Sequence, residues 1–271
     1  MIKSFVKKAL QEDIGRGDLF RLVGKKRKVT AKIVAKEDGV LAGVEYVKSL
    51  CKVENIKFEF LKKDGNTLNK GDVIALFEAK ANKLLMCERT MLNLLQHASG
   101  IATNVDSYMQ KLQGKSVKLL DTRKTRPLLR VFEKYAVRCG GGCNHRMGLD
   151  DCLMLKDTHL KTINDLKSFV ERAKYKLPYT AKIEIECESV EFAKYAMECN
   201  CDMIMCDNMK IQEIEEVVEF KNKNFPHILV EASGNITKEN ILEYAKTGVD
   251  AISSGSLIHQ ATWLDFSMRI E

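Results

Sequence analysis

The chain has 271 residues, an apolar fraction of 45% and a charged fraction of 30%, the balance of a globular protein with a sizeable core. No apolar run approaches the roughly 18–20 residues that cross a bilayer, and the opening MIKSFVKKALQED lacks the unbroken apolar stretch of a signal peptide, so a cytoplasmic protein without a membrane partner is expected. Net charge is +7, from 44 Lys and Arg against 37 Asp and Glu; the run Lys25, Lys26, Arg27, Lys28 has no interleaved aromatics for base stacking and reads as solvated surface, so no nucleic-acid partner is expected.

Taken in order, the first hundred residues mix element types. MIKSFVKKALQED has the spacing of an amphipathic helix. Strand-like segments follow around VTAKIVAKEDGVLAGVE and DVIALFEAK, with the turn-forming DGNTLNKGD ahead of the second. The helical pattern LLMCERTMLNLLQHASGIATNVDSYMQKLQ comes next. Residues 1–103 therefore read as a separate α+β domain.

From about residue 116 the pattern changes. Six short apolar runs recur: VKLLDTRK, CLMLKD, KIEIE, CDMIMCD, HILVEASG and VDAISSGS. Each ends in a polar or charged residue, and each of the first five is compatible with a buried parallel strand. Between them lie helical patterns such as TINDLKSFVERAKYKL, VEFAKYAMEC, IQEIEEVVEFKN and KENILEYAKTG. Thr237 reads as an N-cap and Gly248 as a stop for the last of these. Strand and helix in alternation mean βα units, and no GxGxxG follows the first strand, so 104–271 reads as an incomplete parallel α/β barrel.

Side chains at the carboxyl ends of barrel strands face one mouth. Arg123, Lys124, Lys156, Glu186, Asp207, Ser233 and Ser254 would then share a rim. The stretch from Arg123 to Asp157 holds eight Arg or Lys against four Asp or Glu, which suits a small, multiply charged anion. Arg123, Arg146 and Arg89 suit a ligand with two rigid carboxylates, because a guanidinium presents a planar fork. Lys124 and Lys156 suit phosphate as point charges. Glu186 and Asp207 would hold Mg²⁺ or sugar hydroxyls, since bare carboxylates repel an anion. The loops Ser233-Gly234-Asn235 and Ser254-Gly255-Ser256 end the last two strands, a common place for a phosphate cradle. Gly140, Gly141 and Gly142 mark close backbone approach or unusual dihedrals ahead of His145 and Arg146, an anion-binding or proton-handling pair. The nine cysteines are odd in number and none lies in a CxxC pair, so reduced thiols are expected rather than disulfides or zinc ligands.

These residues resemble the quinolinate phosphoribosyltransferase family. The matching segments include EDIGRGD (12–18), ERTMLNLLQHASGIAT (88–103), DTRKTRP (121–127), EKYAVRCGGGCNHRMGLDD (133–151), LKDTH (155–159), IEIE (183–186), CDMIMCDNM (201–209), EASGNI (231–236) and GVDAISSGSLIH (248–259). The resemblance implies an N-terminal α/β sandwich domain and an incomplete α/β barrel, assembled as a head-to-tail homodimer. It implies the conversion of quinolinate and 5-phosphoribosyl 1-pyrophosphate, with Mg²⁺, to nicotinate mononucleotide, pyrophosphate and CO₂ in NAD biosynthesis. Arg123, Lys124, Thr125, His145, Arg146 and Lys156 match the substrate pocket, and Glu186 and Asp207 the acidic pair near ribose and metal. Lys124, Lys156, Glu186 and Asp207 are the expected catalytic groups. Ser233 to Asn235 and Ser254 to Ser256 match the phosphate loops, and Arg89 matches an arginine donated by the partner subunit. Three positions depart from the family pattern: Leu128 and Asn235 stand where it has Gly, and Thr158 where it has Asn. They put local loop geometry in question. The rival readings are a phosphoribosyltransferase for nicotinate or another base, and a nucleic-acid-binding barrel.

Overall fold

The computed structural model describes residues 1–24 and 27–271. Lys25 and Lys26 of the basic run lie outside them; Lys28 is a solvated lysine paired at 2.7 Å with Glu78.

The chain forms two compact units. The first comprises residues 1–106, 135–141 and 261–271. Helices α1 (Ile2–Ile14) and α2 (Phe20–Val23) precede strands β1 (Lys28–Ala35) and β2 (Gly39–Val40). Then come helix α3 (Val44–Glu54), strands β3 (Lys57–Phe60), β4 (Thr67–Leu68) and β5 (Val73–Lys80), and the long helix α4 (Ala81–Lys111). The antiparallel sheet has the order β12-β1-β5-β3, in which β12 (Phe266–Ile270) is supplied by the far end of the chain. Strands β2 and β4 make a separate ribbon. The α+β character of this region stands. One segment differs from expectation: VLAGVE alternates like a strand, yet α3 begins at Val44. Gly43 allows this at φ 102°, where a side chain would strike the Leu94 carbonyl at 2.9 Å. Val44, Val47, Leu50 and Cys51 then bury one face of the helix.

The second unit comprises residues 107–134 and 142–260. Its strands are β6 (Lys118–Leu120), β7 (Cys152–Leu155), β8 (Lys182–Cys187), β9 (Met203–Asp207), β10 (Leu229–Ser233) and β11 (Ala251–Ser253). They correspond to the six apolar runs read from the sequence. All pair in parallel in the order β6-β11-β10-β9-β8-β7, an incomplete barrel. The helices are α5 (Arg130–Cys139), α6 (Asp157–Leu160), α7 (Leu166–Lys176), α8 (Val190–Glu198), α9 (Ile211–Asn224), α10 (Ile241–Lys246) and α11 (Ser256–His259). Asp165 and Ser189 cap α7 and α8 through their side chains. Gly248 ends the α10 turn at φ 86°, but α10 starts at Ile241, later than Thr237; Thr237 instead accepts from the Glu239 N–H at 3.3 Å.

The glycine-rich block behaves as its composition predicts. Gly141 takes φ 90°, and a side chain on Gly140 would lie 2.3 Å from the Ala102 carbonyl. The residues before it form helix α5, whose last residues, 135–139, belong to the first unit. All nine cysteines are free thiols.

Candidate functional site

Alternate residues of a strand point to one face. Glu184 and Glu186 therefore share the inner face of β8, Met205 and Asp207 that of β9, and Glu231 and Ser233 that of β10. Asp207 and Ser233 end their strands and Glu186 is the last residue but one of β8, while Lys156 follows β7 and Ser254 follows β11, so all five reach the same rim. Ser233 stands opposite Asp207 in the parallel register.

Several predicted residues meet there. The Lys156 ammonium pairs with the Glu186 carboxylate, which is 9% exposed. Asp207 accepts from the Asn208 side-chain amide at 2.8 Å. Arg146 is buried, and its Nη1 donates to the Cys152 carbonyl at 3.1 Å. Burial, and then the nearby positive charge of Arg123, hold the Arg146 guanidinium below its ordinary pKa. Lys124 lays its stem over the last phosphate-type loop: a side chain at Gly255 would sit 2.8 Å from Lys124 Cδ. Thr125 Oγ1 accepts from Arg130 Nε at 3.1 Å, which braces the segment that carries Arg123 and Lys124.

The two Ser-Gly loops are tied together. Ser253 Oγ donates to Ser233 Oγ at 3.2 Å, and Ser254 Oγ donates to the Ile236 carbonyl at 3.0 Å. Gly234 takes φ 91°, and any side chain there would lie 2.3 Å from Asn208 Oδ1. Only glycine fits. Asn235 keeps φ 49° and donates to Asn208 Oδ1 at 3.1 Å. Leu128 keeps φ 65° with its side chain 97% exposed. Both non-glycine departures thus retain the left-handed backbone that a glycine would favour. Thr158 lies on an exposed face of α6. Arg89 lies on α4 in the first unit.

Below the rim is a layer that sequence reasoning missed. Glu184 and Glu231 are fully buried, and His145 Nε2 lies 3.2 Å from one carboxylate and 3.3 Å from the other. The Arg146 N–H donates to His145 Nδ1 at 2.7 Å, so the ring carries its proton on Nε2, between the carboxylates. Burial opposes charge on the ring, but Glu184 and Glu231 outweigh it and pull its pKa up to about 10. Burial also pushes the Glu231 carboxyl up. The trio therefore holds one extra proton near neutral pH and carries a net charge of −1. Among the described residues this trio is the one set of three or more His, Cys, Asp or Glu side chains whose ligand atoms lie close enough to share a metal. A protonated Nε2 has no lone pair to offer one. The signal for the layer was present: Glu184 and Glu231 each precede a rim residue by two positions.

Fold and rim together define a parallel α/β barrel protein with a mixed-charge, anion-directed mouth. The family model for the quinolinate phosphoribosyl transferase C-terminal domain matches residues 101–269, and that for the N-terminal domain matches 18–99. The chain is 40% identical to a probable carboxylating nicotinate-nucleotide pyrophosphorylase of Methanocaldococcus jannaschii, over 98% of this chain and 95% of that protein. It is 39% identical to one from Bacillus subtilis, over 99% and 93%. The crystal structure of NadC from Streptococcus pyogenes superposes with a TM-score of 0.93 at 37% identity, covering 100% of this chain and 96% of that one. The chain belongs to the quinolinate phosphoribosyltransferase family.

Proposed function

We propose that this protein transfers a phosphoribosyl group to quinolinate and decarboxylates the adduct. The products are nicotinate mononucleotide, pyrophosphate and CO₂, in NAD biosynthesis. The reading is supported by the proximity of Arg123 to Arg146 and by the Lys156–Glu186 pair at the barrel rim, in a chain of this family.

In this mechanism the pyridine nitrogen attacks C1 of the ribose as the C1–O bond to pyrophosphate breaks. Arg123 and Arg146 grip the two adjacent carboxylates and aim the nitrogen, with Thr125 completing that wall and His145 supporting it from the layer below. The Ser233-Gly234-Asn235 and Ser254-Gly255-Ser256 loops take the 5-phosphate and pyrophosphate. Lys124 and Lys156 offset charge growing on the leaving group, while Glu186 or Asp207 offsets the sugar's developing positive charge. Ribosylation leaves the ring nitrogen cationic. That cation stabilises the electron pair left at C2 when CO₂ departs, and a proton from solvent then takes C2. No enzyme nucleophile is needed.

Glu186 and Asp207, carboxylates near the carboxyl ends of neighbouring strands, are the hard oxygen donors that would hold Mg²⁺. When bound it would add Lewis-acid stabilisation of pyrophosphate. The working form is a cytoplasmic homodimer in which the partner subunit's Arg89 completes the diacid pocket.

Release of CO₂ and nucleotide from quinolinate, phosphoribosyl pyrophosphate and Mg²⁺ tests the reading. Turnover of nicotinate but not quinolinate would replace it with the monoacid reading. Mixing Arg89→Ala with Lys156→Ala should restore activity through hybrid dimers; stable hybrids without activity would remove the shared site.

A further inference from the structure

The Arg123–Lys124 segment follows β6, and the His145–Arg146 segment precedes β7. Neither lies in a helix or strand; a single backbone bridge, Leu120 to Cys143, joins the stretches ahead of them, with the Asp121 N–H donating to the Cys143 carbonyl at 3.2 Å. Beyond that bridge, one buried side chain ties the two together. Lys134, on the first turns of α5, is fully buried, and its ammonium pairs with the fully buried Asp121 carboxylate. The same ammonium donates to the His145 carbonyl at 2.8 Å. Asp121 in turn accepts from the His145 N–H at 2.9 Å and from the Asn144 amide at 2.6 Å. That amide also donates to the Lys134 carbonyl at 2.8 Å. The preceding residue, Glu133, is equally buried and accepts from the Arg126 N–H at 2.9 Å and from its Nη1 at 2.7 Å, closing the other end of the Arg123 loop.

This arrangement works against a repulsion. Arg123 and Arg146 are close enough for one charge to act on the other, and two guanidiniums on unsupported loops would drift apart. A buried ion pair is held by the cost of leaving either partner unpaired, so it resists that drift. A ligand with one carboxylate needs only one guanidinium at a time. A ligand with two adjacent carboxylates needs both at a set spacing.

We infer that Lys134 is a positioning residue that fixes the spacing of Arg123 and Arg146, and thereby the preference of the site for a 1,2-diacid over a monoacid. The inference rests on the diacid reading of the site given above.

The test uses the full-length protein carrying Lys134→Met with Asp121→Asn, which removes the staple without leaving a buried unpaired charge. Calorimetry would measure benzene-1,2-dicarboxylate, benzoate and phosphoribosyl pyrophosphate, alongside the thermal midpoint. Diacid affinity should fall by about tenfold or more, with the other two ligands within about threefold of wild type. A folded variant that keeps the wild-type diacid-to-monoacid ratio, or that weakens all three ligands alike, overturns the inference. If the double variant does not fold, Asn144→Ala cuts two bonds of the same staple, to Asp121 and to the Lys134 carbonyl, and is held to the same ratio: a fall of about threefold or more supports the inference, and an unchanged ratio overturns it. A wild-type protein without diacid preference would instead overturn the functional reading itself.

Discussion

Lys156 and Glu186 face each other as an ion pair across the carboxyl ends of β7 and β8. The lysine side chain is 43% exposed, so the pair contributes little to stability and its removal is an activity question. Lys156→Ala should lower kcat by roughly 10²–10³-fold, as loss of an electrostatic stabiliser does. Its unfolding midpoint should stay near wild type. Single-turnover measurement of CO₂ release beside a denaturation curve checks both; a wild-type rate would take Lys156 out of the chemistry.

Arg123 and Arg146 should separate by stability rather than by activity. Each makes charge-assisted bonds worth about 1.5–3 kcal/mol in the proposed complex, so either alanine variant should lose roughly 10–150-fold in kcat/KM for quinolinate. Arg146 is buried against the Cys152 carbonyl, and its loss should also destabilise the fold by about 1–2 kcal/mol. Arg123 is exposed, and its variant should unfold within about 0.5 kcal/mol of wild type. Urea titration of both would reveal the difference.

The exposed Leu128 sits at φ 65°, a conformation that costs an L-residue about 1–2 kcal/mol. Leu128→Gly should therefore stabilise the protein, by about 0.5–1 kcal/mol after the added freedom of the unfolded chain is subtracted. Asn235→Gly should change little, because Asn tolerates this conformation and already bonds Asn208. Calorimetric scans of the two variants should rank Leu128→Gly above wild type; a lower midpoint would refute the strain at that turn.

The His145–Glu184–Glu231 trio makes stability depend on pH. Its extra proton is bound up to about pH 10 in the fold, against 6.5 for an ordinary histidine. The folded state therefore binds more protons than the unfolded state between those values. The contribution is complete below about pH 6.5 and is lost as pH rises through about 10. Buried thiols such as Cys51 and Cys206, pushed up to about 12 by burial, add a fall of the same sign only once free thiols begin to ionise. The interval from about pH 6.5 to 8 thus isolates the trio. Wild-type stability should decline across it, and His145→Asn should flatten the slope.

Much of this was legible in the chain because parallel strands announce themselves. Six buried runs, each closing on a polar residue, placed Lys156, Glu186, Asp207 and Ser233 at strand ends before any coordinates. The Gly140–Gly142 block signalled tight backbone passage, and the backbone is tight there. Two elements misled. VLAGVE alternates like a strand, but Gly43 lets a helix begin within it. EKYAVRC was submerged in a cationic segment, although Val137 and its neighbours give it a helical apolar face.

By itself, the sequence determined the barrel's strands, the residue types at its rim and the family to which they belong, because those depend on local periodicity and on motifs contiguous in the chain. Only the tertiary structure decided which charges are consumed inside the protein. Asp121, Lys134, Glu184 and Glu231 look in sequence like any other solvated ions. They become a staple and a proton-holding layer because residues up to 86 positions apart, such as His145 and Glu231, are brought within 3.3 Å where water cannot serve as their partner.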